Sequence, residues 1–229
     1  PENLKYEPFQ DVQDIYWTSS LVDLLKSGNA KSRLSAQYEL LKRGKGTDAV
    51  WNLATDSSLP LEVRAAAIFT FAQLAGETGI DRLVSITEDA SVQEFALRAL
   101  TDRLGNVKSV PIEPFLKALK SESDRVRASA IIGLGRLGRI EATDALLEIP
   151  VPESFKAPEM NTEGPHARPN ADIILPHLAV KALVRLDAVD ACIAALGTNH
   201  QELALCALRY MHSPNVVHAL IGAYYQSGG

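Results

Sequence analysis

Along this chain, apolar residues recur every three to four positions, with little of the strict alternation that marks half-buried strands. One unit repeats six times: an alanine, then a large apolar residue four positions later. The pairs are Ala36 with Leu40, Ala67 with Phe71, Ala96 with Leu100, Ala130 with Leu134, Ala179 with Leu183 and Ala204 with Leu208. Positions four apart lie on one helical face, one turn above the other. Extending the unit gives longer stripes such as Val63, Ala67, Phe71 and Leu74, or Val126, Ala130, Leu134 and Leu137. A short residue stands just before the large one at Thr70, Ala99, Gly133, Ala182 and Ala207, with Glu39 the exception. Such residues let a neighbouring helix come close while the large side chains fill the space between layers.

Each of these helices follows a shorter apolar segment: Leu21–Leu25, Val50–Ala54, Leu83–Ile86, Phe115–Leu119, Ala145–Leu147 and Val189–Leu196. A seventh, Val216–Ile221, has no second helix after it. Turn signals separate the pairs at Gly28-Asn29, Ser57 to Pro60, Gly105-Asn106, Ser121 to Asp124 and Gly197 to Asn199. Pro60 suits a helix start, Ser123 or Asp124 can cap the helix of Val126, and Gly44, Gly105 and Gly138 stand where helices should stop. The alanines are spaced by 31, 29, 34, 49 and 25 residues. Spacings near 30 are those of stacked helical hairpins. The long interval holds an insertion over 150–170, where Pro150, Pro152, Pro158, Pro165 and Pro169 forbid a continuous helix. Pro176 falls in the first turn of the helix that follows.

Residues 123–138, Ser-Asp-Arg-Val-Arg-Ala-Ser-Ala-Ile-Ile-Gly-Leu-Gly-Arg-Leu-Gly, resemble the second helix of a HEAT repeat, particularly the short variety named after phycobilisome lyases. Residues 60–75 are similar. The resemblance implies an all-α fold, a right-handed α-solenoid (HEAT-like/ARM superhelix) of about six helical hairpins plus a capping helix. Its domain would span residues 18–229, with residues 1–17 an N-terminal extension or linker. Residues 21–44 further resemble the first HEAT repeats of large haem-binding multidomain proteins of Planctomycetes, Verrucomicrobia and Bacteroidetes. There a propeller precedes the repeats and a c-type cytochrome domain follows. This chain has no Cys-x-x-Cys-His motif, so any haem of that family would sit outside it. The start at Pro1 suggests a processed chain or an excised piece. By resemblance the parent would be periplasmic or secreted.

Composition narrows the function classes. With 23 Lys and Arg against 28 Asp and Glu, the net charge of −5 argues against nucleic acid as a partner. No apolar run approaches the ~18–20 residues of a membrane span, so no membrane insertion is expected. Two cysteines exclude a disulfide scaffold and a four-cysteine metal site. Cys192 and Cys206 fall on adjacent helices, whose axes pack ~8–10 Å apart, whereas a disulfide needs Cα atoms within ~7 Å. Two buried thiols are the expectation.

The remaining candidates are weighed against structural roles. Arg33, Arg64 and Arg127 each stand three residues before a repeat alanine. They form either a basic ladder on a ligand-binding face or a repeat arginine that pairs with carbonyl or acidic groups of the next repeat. The ladder lapses at Gln93, Pro176 and Gln201, which favours pairing. His166 and Arg168 in the insertion, with His177 just after it, are the other interaction candidates, since long loops on rigid scaffolds often bind. Trp17, Trp51, Tyr16 and Tyr38 either seal the first end of the stack or dock a preceding domain. No His-Glu dipeptide occurs, which rejects the di-iron hydroxylases that resemble this architecture, and no phosphate loop or Gly-x-Ser-x-Gly motif is present. No catalytic residue, metal or cofactor is assigned. The sequence therefore points to a non-catalytic scaffold or interaction module, part of a larger extracytoplasmic protein. Its partner would be a protein or neighbouring domains of the same polypeptide. A cofactor-handling HEAT-like protein, bilin-lyase-like or haem-associated, is the alternative by fold analogy.

Overall fold

A computed structural model describes residues 17–103, 105, 107–152 and 172–226. All regular structure among them is helical. The helices fall into two compact units, Pro1–Asp102 and Arg103–Gly229.

In the first unit, α1 (residues 17–24) precedes α2 (Ala30–Arg43). Then come α3 (Thr47–Thr55) with α4 (Leu61–Ala75), and α5 (Ile80–Ile86) with α6 (Gln93–Thr101). The longer helices form a row, α2 against α4 and α4 against α6, while α3 packs on α4 and α5 on α6. In the second unit, α7 (Glu113–Ala118) pairs with α8 (Asp124–Leu137), and α9 (Thr143–Leu147) with α10 (Ile174–Arg185). Last come α11 (Val189–Ala194), α12 (Gln201–Leu208) and α13 (Pro214–Gln226). Here α8, α10 and α12 make one row, and α9, α11 and α13 the other. Each unit is thus two layers of helices stacked by translation, the α-solenoid arrangement.

The repeat pairs form the seams. All twelve residues, from Ala36 and Leu40 to Ala204 and Leu208, are buried. So are Thr70, Ala99, Gly133, Ala182 and Ala207 ahead of the large ones. At Gly133 an added Cβ would lie 2.2 Å from Cε1 of Phe115, so the α7 ring rests on the α8 backbone. At Gly135 a Cβ would stand 3.1 Å from both Cα and Cβ of Ala182, so α8 and α10 meet backbone to backbone.

The ends of the helices follow local chemistry. Asn29 caps α2, its Oδ1 accepting from the backbone N–H of Lys31 at 2.9 Å and of Ser32 at 3.4 Å. Gly44 (φ 63°) ends α2 and Gly138 (φ 69°) ends α8, both left-handed as a C-terminal cap requires. Asp187 takes the same conformation after α10, at φ 50°; aspartate tolerates it better than most side chains. Gly105 has no such role, because α6 already stops at Thr101. Pro60 sits at the N-cap of α4 and Pro176 in the first turn of α10, where neither removes a needed donor. Ser123 is the N-cap of α8 but its side chain makes no capping bond.

Replacing a helical glycine by alanine ordinarily stabilises by up to ~1 kcal/mol. At Gly133 the Phe115 contact reverses the sign. Gly133→Ala is expected to destabilise the chain by about 1–3 kcal/mol, seen as a lower Tm in thermal unfolding followed by circular dichroism.

Candidate functional site

Between the helices of a hairpin, the chain turns on one short device. Asp56 Oδ1 accepts from the backbone N–H and the hydroxyl of Ser58, at 2.9 and 2.6 Å. Asp89 treats Ser91 the same way, at 3.0 and 2.6 Å. Elsewhere a hydroxyl substitutes for the carboxylate. Ser27 accepts from the Asn29 N–H, Ser121 from that of Ser123 and Thr198 from that of His200. These turns satisfy main-chain donors that the helices leave over.

The three arginines use this framework differently. Arg64 is 3% exposed. Its Nε donates to the Ala54 carbonyl at 3.0 Å, at the end of its own α3. One terminal nitrogen reaches Ser91 Oγ at 2.7 Å and the other Asp89 Oδ2 at 2.6 Å, in the turn of the following repeat. Arg33 donates to the Ser27 carbonyl at 2.7 Å, within its own repeat. Arg127 bonds Asp124 one turn back, and its Nε is buried with no acceptor within hydrogen-bonding range on the protein. Hydrogen bonds from Ser91 and then from Arg64 hold the Asp89 carboxyl below the usual carboxylate range. Asp56 is lowered likewise, chiefly by Ser58.

One cleft gathers chemistry from several elements. It has a volume of about 370 Å³ and lies in the second unit where the insertion leaves and re-enters the fold. Asp124, Arg125, Arg127 and Ala128 contribute from the first turns of α8, and Leu119 from the end of α7. Ile149 to Pro152 line the side where the chain departs, and Asp172 with Ile174 to Pro176 the side where it returns. The walls are mainly aliphatic, with two arginines and two aspartates at the polar side. Of the sequence candidates, Arg127 lines this cleft, and His177, exposed on α10, is the residue after its last lining position. Arg33 and Arg64 belong to the first unit. His166 and Arg168 lie outside the described residues, as does 153–170 of the insertion. Sequence reasoning found the insertion but not the cleft at its base. Only the fold brings Leu119, Ile149 and Leu175 beside the start of α8.

The aromatic residues of the first unit divide. Trp51 packs against Phe71, ring centroids 4.6 Å apart, under the Arg82 guanidinium, which also bonds Asp48 at 2.6 Å. Trp51 therefore belongs to the seam between its own hairpin and the next, not to an end seal. Tyr38 and Trp17 are exposed, and Tyr16 lies outside the described residues. Both cysteines are free thiols, Cys192 fully buried and Cys206 partly so. Burial pushes Cys192 up to about 11 and raises Cys206 as well. Among the described residues no group of three or more His, Cys, Asp and Glu is placed to hold a metal ion, and no helix is long and apolar enough to cross a membrane.

With this geometry in view, residues 80–150 match the family model of HEAT repeats. No curated protein matches the chain significantly. Among solved structures, two engineered proteins from the Northeast Structural Genomics Consortium are similar at 18% identity. One has a TM-score of 0.45 over 88% of this chain and 97% of its own. The other has a TM-score of 0.49 over 90% and 61%. The complex of CpcE and CpcF of phycocyanin lyase from Nostoc sp. PCC7120 is similar at 15% identity and a TM-score of 0.36, over 89% of this chain and 92% of that one.

The Arg64–Asp89 pair and the thiols each lead to an expected outcome. Asp89 has a depressed folded pKa, so its interaction contributes stability above the ordinary value of 3.8 and loses it as pH falls through the folded value. Asp89→Asn should lower stability at neutral pH by about 1 kcal/mol and flatten the fall of stability below about pH 4, as read from urea titrations across pH. For the thiols, a pKa near 11 leaves Cys192 about 0.1% thiolate at pH 8. Ellman's reagent should label Cys206 slowly in the folded chain and Cys192 only on unfolding.

Proposed function

We propose that this chain is a non-catalytic interaction module whose partner docks in the cleft at the base of the insertion. The partner is another protein or a neighbouring domain of the same polypeptide. The observation that carries this reading is the cleft itself, where the exposed Arg125 and the partly exposed Arg127 stand beside the half-buried Ile174 and Leu175. A carboxylate of a docked segment would pair with the arginines, while its aliphatic side chains cover Leu175 and Ile174. Rigid helix ends on three sides hold the cleft open, so little ordering is needed on this side of the complex.

The match of residues 80–150 to HEAT repeats supports a scaffold role, because that architecture presents long surfaces rather than enclosed reaction chambers. The resemblance of residues 21–44 to the repeats of haem-binding multidomain proteins supports placing the module within a larger, extracytoplasmic polypeptide.

Cross-linking with mass spectrometry in a native extract would identify the docked segment, and binding to it would then be titrated. Leu175→Asp and Arg127→Ala are expected to weaken binding at least about tenfold each without loss of helicity. Unchanged binding by both variants overturns the cleft as the docking site. A stoichiometric, saturable visible spectrum on adding haem or a bilin would overturn the non-catalytic reading in favour of cofactor handling.

A further inference from the structure

The arginine contact that joins two repeats in the first unit has a counterpart in the second. Arg64 lies three residues before the repeat alanine Ala67, and its carboxylate partner Asp89 lies seven before the next one, Ala96. Among the six repeat alanines, only Ala96 and Ala179 have an aspartate at that place, Asp89 and Asp172. Each of the two follows a repeat with arginine three before its alanine, Arg64 and Arg127. Arg127 and Asp172 are 45 residues apart, against 25 for Arg64 and Asp89, because the insertion falls between them. The fold nevertheless returns both to the lining of one cleft. We propose that Arg127 and Asp172 form a two-state clamp across this cleft. In the open state the guanidinium is turned back to Asp124, as seen here. In the closed state it pairs with Asp172, as Arg64 pairs with Asp89.

Three observations carry the clamp. The first is the competitor. The hairpins of the two arginines match residue for residue: Thr55 and Ala118 end α3 and α7, and Leu61 and Asp124 begin α4 and α8. Three residues back from Arg64 stands Leu61, which offers no acceptor, so Arg64 reaches forward to the next repeat. Three residues back from Arg127 stands Asp124, which takes it. The second is what the open state leaves unused. The Asp172 carboxylate makes no hydrogen bond or ion pair among the described residues, and Arg127 Nε has no acceptor. The Ala54 carbonyl, which accepts from Arg64 Nε, corresponds to that of Lys117, and this one accepts the Lys120 N–H at 3.2 Å instead. The third is balance. Ser91, whose hydroxyl completes the Arg64 contact, is matched by Ile174, where α10 has already begun. The closed clamp therefore lacks a bond that Arg64 has. The open one is a partly exposed pair, with side chains 35% and 62% exposed. Ion pairs of this kind are individually weak, so the two states lie within about tenfold of each other in population.

Closing ties the start of α10 to the start of α8 and gives Arg127 a carboxylate from its own chain. An acidic segment entering the cleft must compete with Asp172 for that arginine. As a control on docking, the clamp rests on the reading of the cleft as the docking site. The exchange of Arg127 between two aspartates does not.

The test reads rotation of the Arg127 guanidinium by nitrogen-15 NMR of the whole chain, with its signal assigned by its loss in Arg127→Lys. An arginine held by a carboxylate rotates slowly about its Cζ–Nε bond. Rotation is expected to stay slow in Asp124→Asn, because Asp172 takes over, and in Asp172→Asn, because Asp124 remains. In the double variant it should quicken at least about threefold. Arg125 is kept throughout, and circular dichroism checks that each variant folds. Rotation that quickens fully in Asp124→Asn alone overturns the clamp, because Asp172 then takes no part. Rotation that stays slow in the double variant also overturns it, because the arginine is then held by neither aspartate. No partner is present, so either failure is distinct from a failure of the docking variants.

Discussion

The close approach of successive long helices is the constraint on which the rest depends. A translational stack holds together only if each long helix offers its neighbours a narrow face with a filled gap beside it. Alanine supplies the narrow face at six positions, and the apolar residue four places on supplies the filling. Where the approach is tightest, even a methyl group is too large. Phe115 lies against the bare backbone at Gly133, and Ala182 against that at Gly135. Within each unit, successive hairpins bury their stripes on one another, so stability there is a sum of neighbouring seams.

Arg64 carries a charge into a seam with each of its guanidinium nitrogens bonded. Its guanidinium joins the end of α3 to the turn of the next repeat, using a carbonyl, a hydroxyl and a carboxylate at once. A planar fork of fixed donors suits three acceptors on two elements, which a lysine ammonium would not match. Arg127 holds the corresponding position in the second unit but follows a different course. It bonds Asp124 in its own helix and keeps a buried Nε without an acceptor on the protein. The two arginines thus share a repeat position but not an environment, one saturated inside the stack and one with an unmet donor beside a cleft.

The insertion matters through where it is anchored. Prolines at 150, 152 and 176 stiffen the chain on either side of it, and those same residues line the cleft.

Much of the architecture was legible in the sequence. The alanine-to-apolar spacing placed the long helices, and the short apolar segments before them became α1, α3, α5, α7, α9 and α11. Gly44 and Gly138 marked true helix ends because a left-handed cap is a local requirement that glycine meets at little cost. Other features were not legible. Trp51 read as an end seal because sequence shows an aromatic residue but not the Phe71 and Arg82 that surround it. Arg33, Arg64 and Arg127 looked equivalent because their position in the repeat is the same. Their partners come from turns and neighbouring helices that only the packed chain brings near. Periodicity, caps and turns are set by residues within a few positions of one another, so the sequence determined them alone. The cleft beside Arg127 depends on contacts between distant segments, and this only the tertiary structure decided.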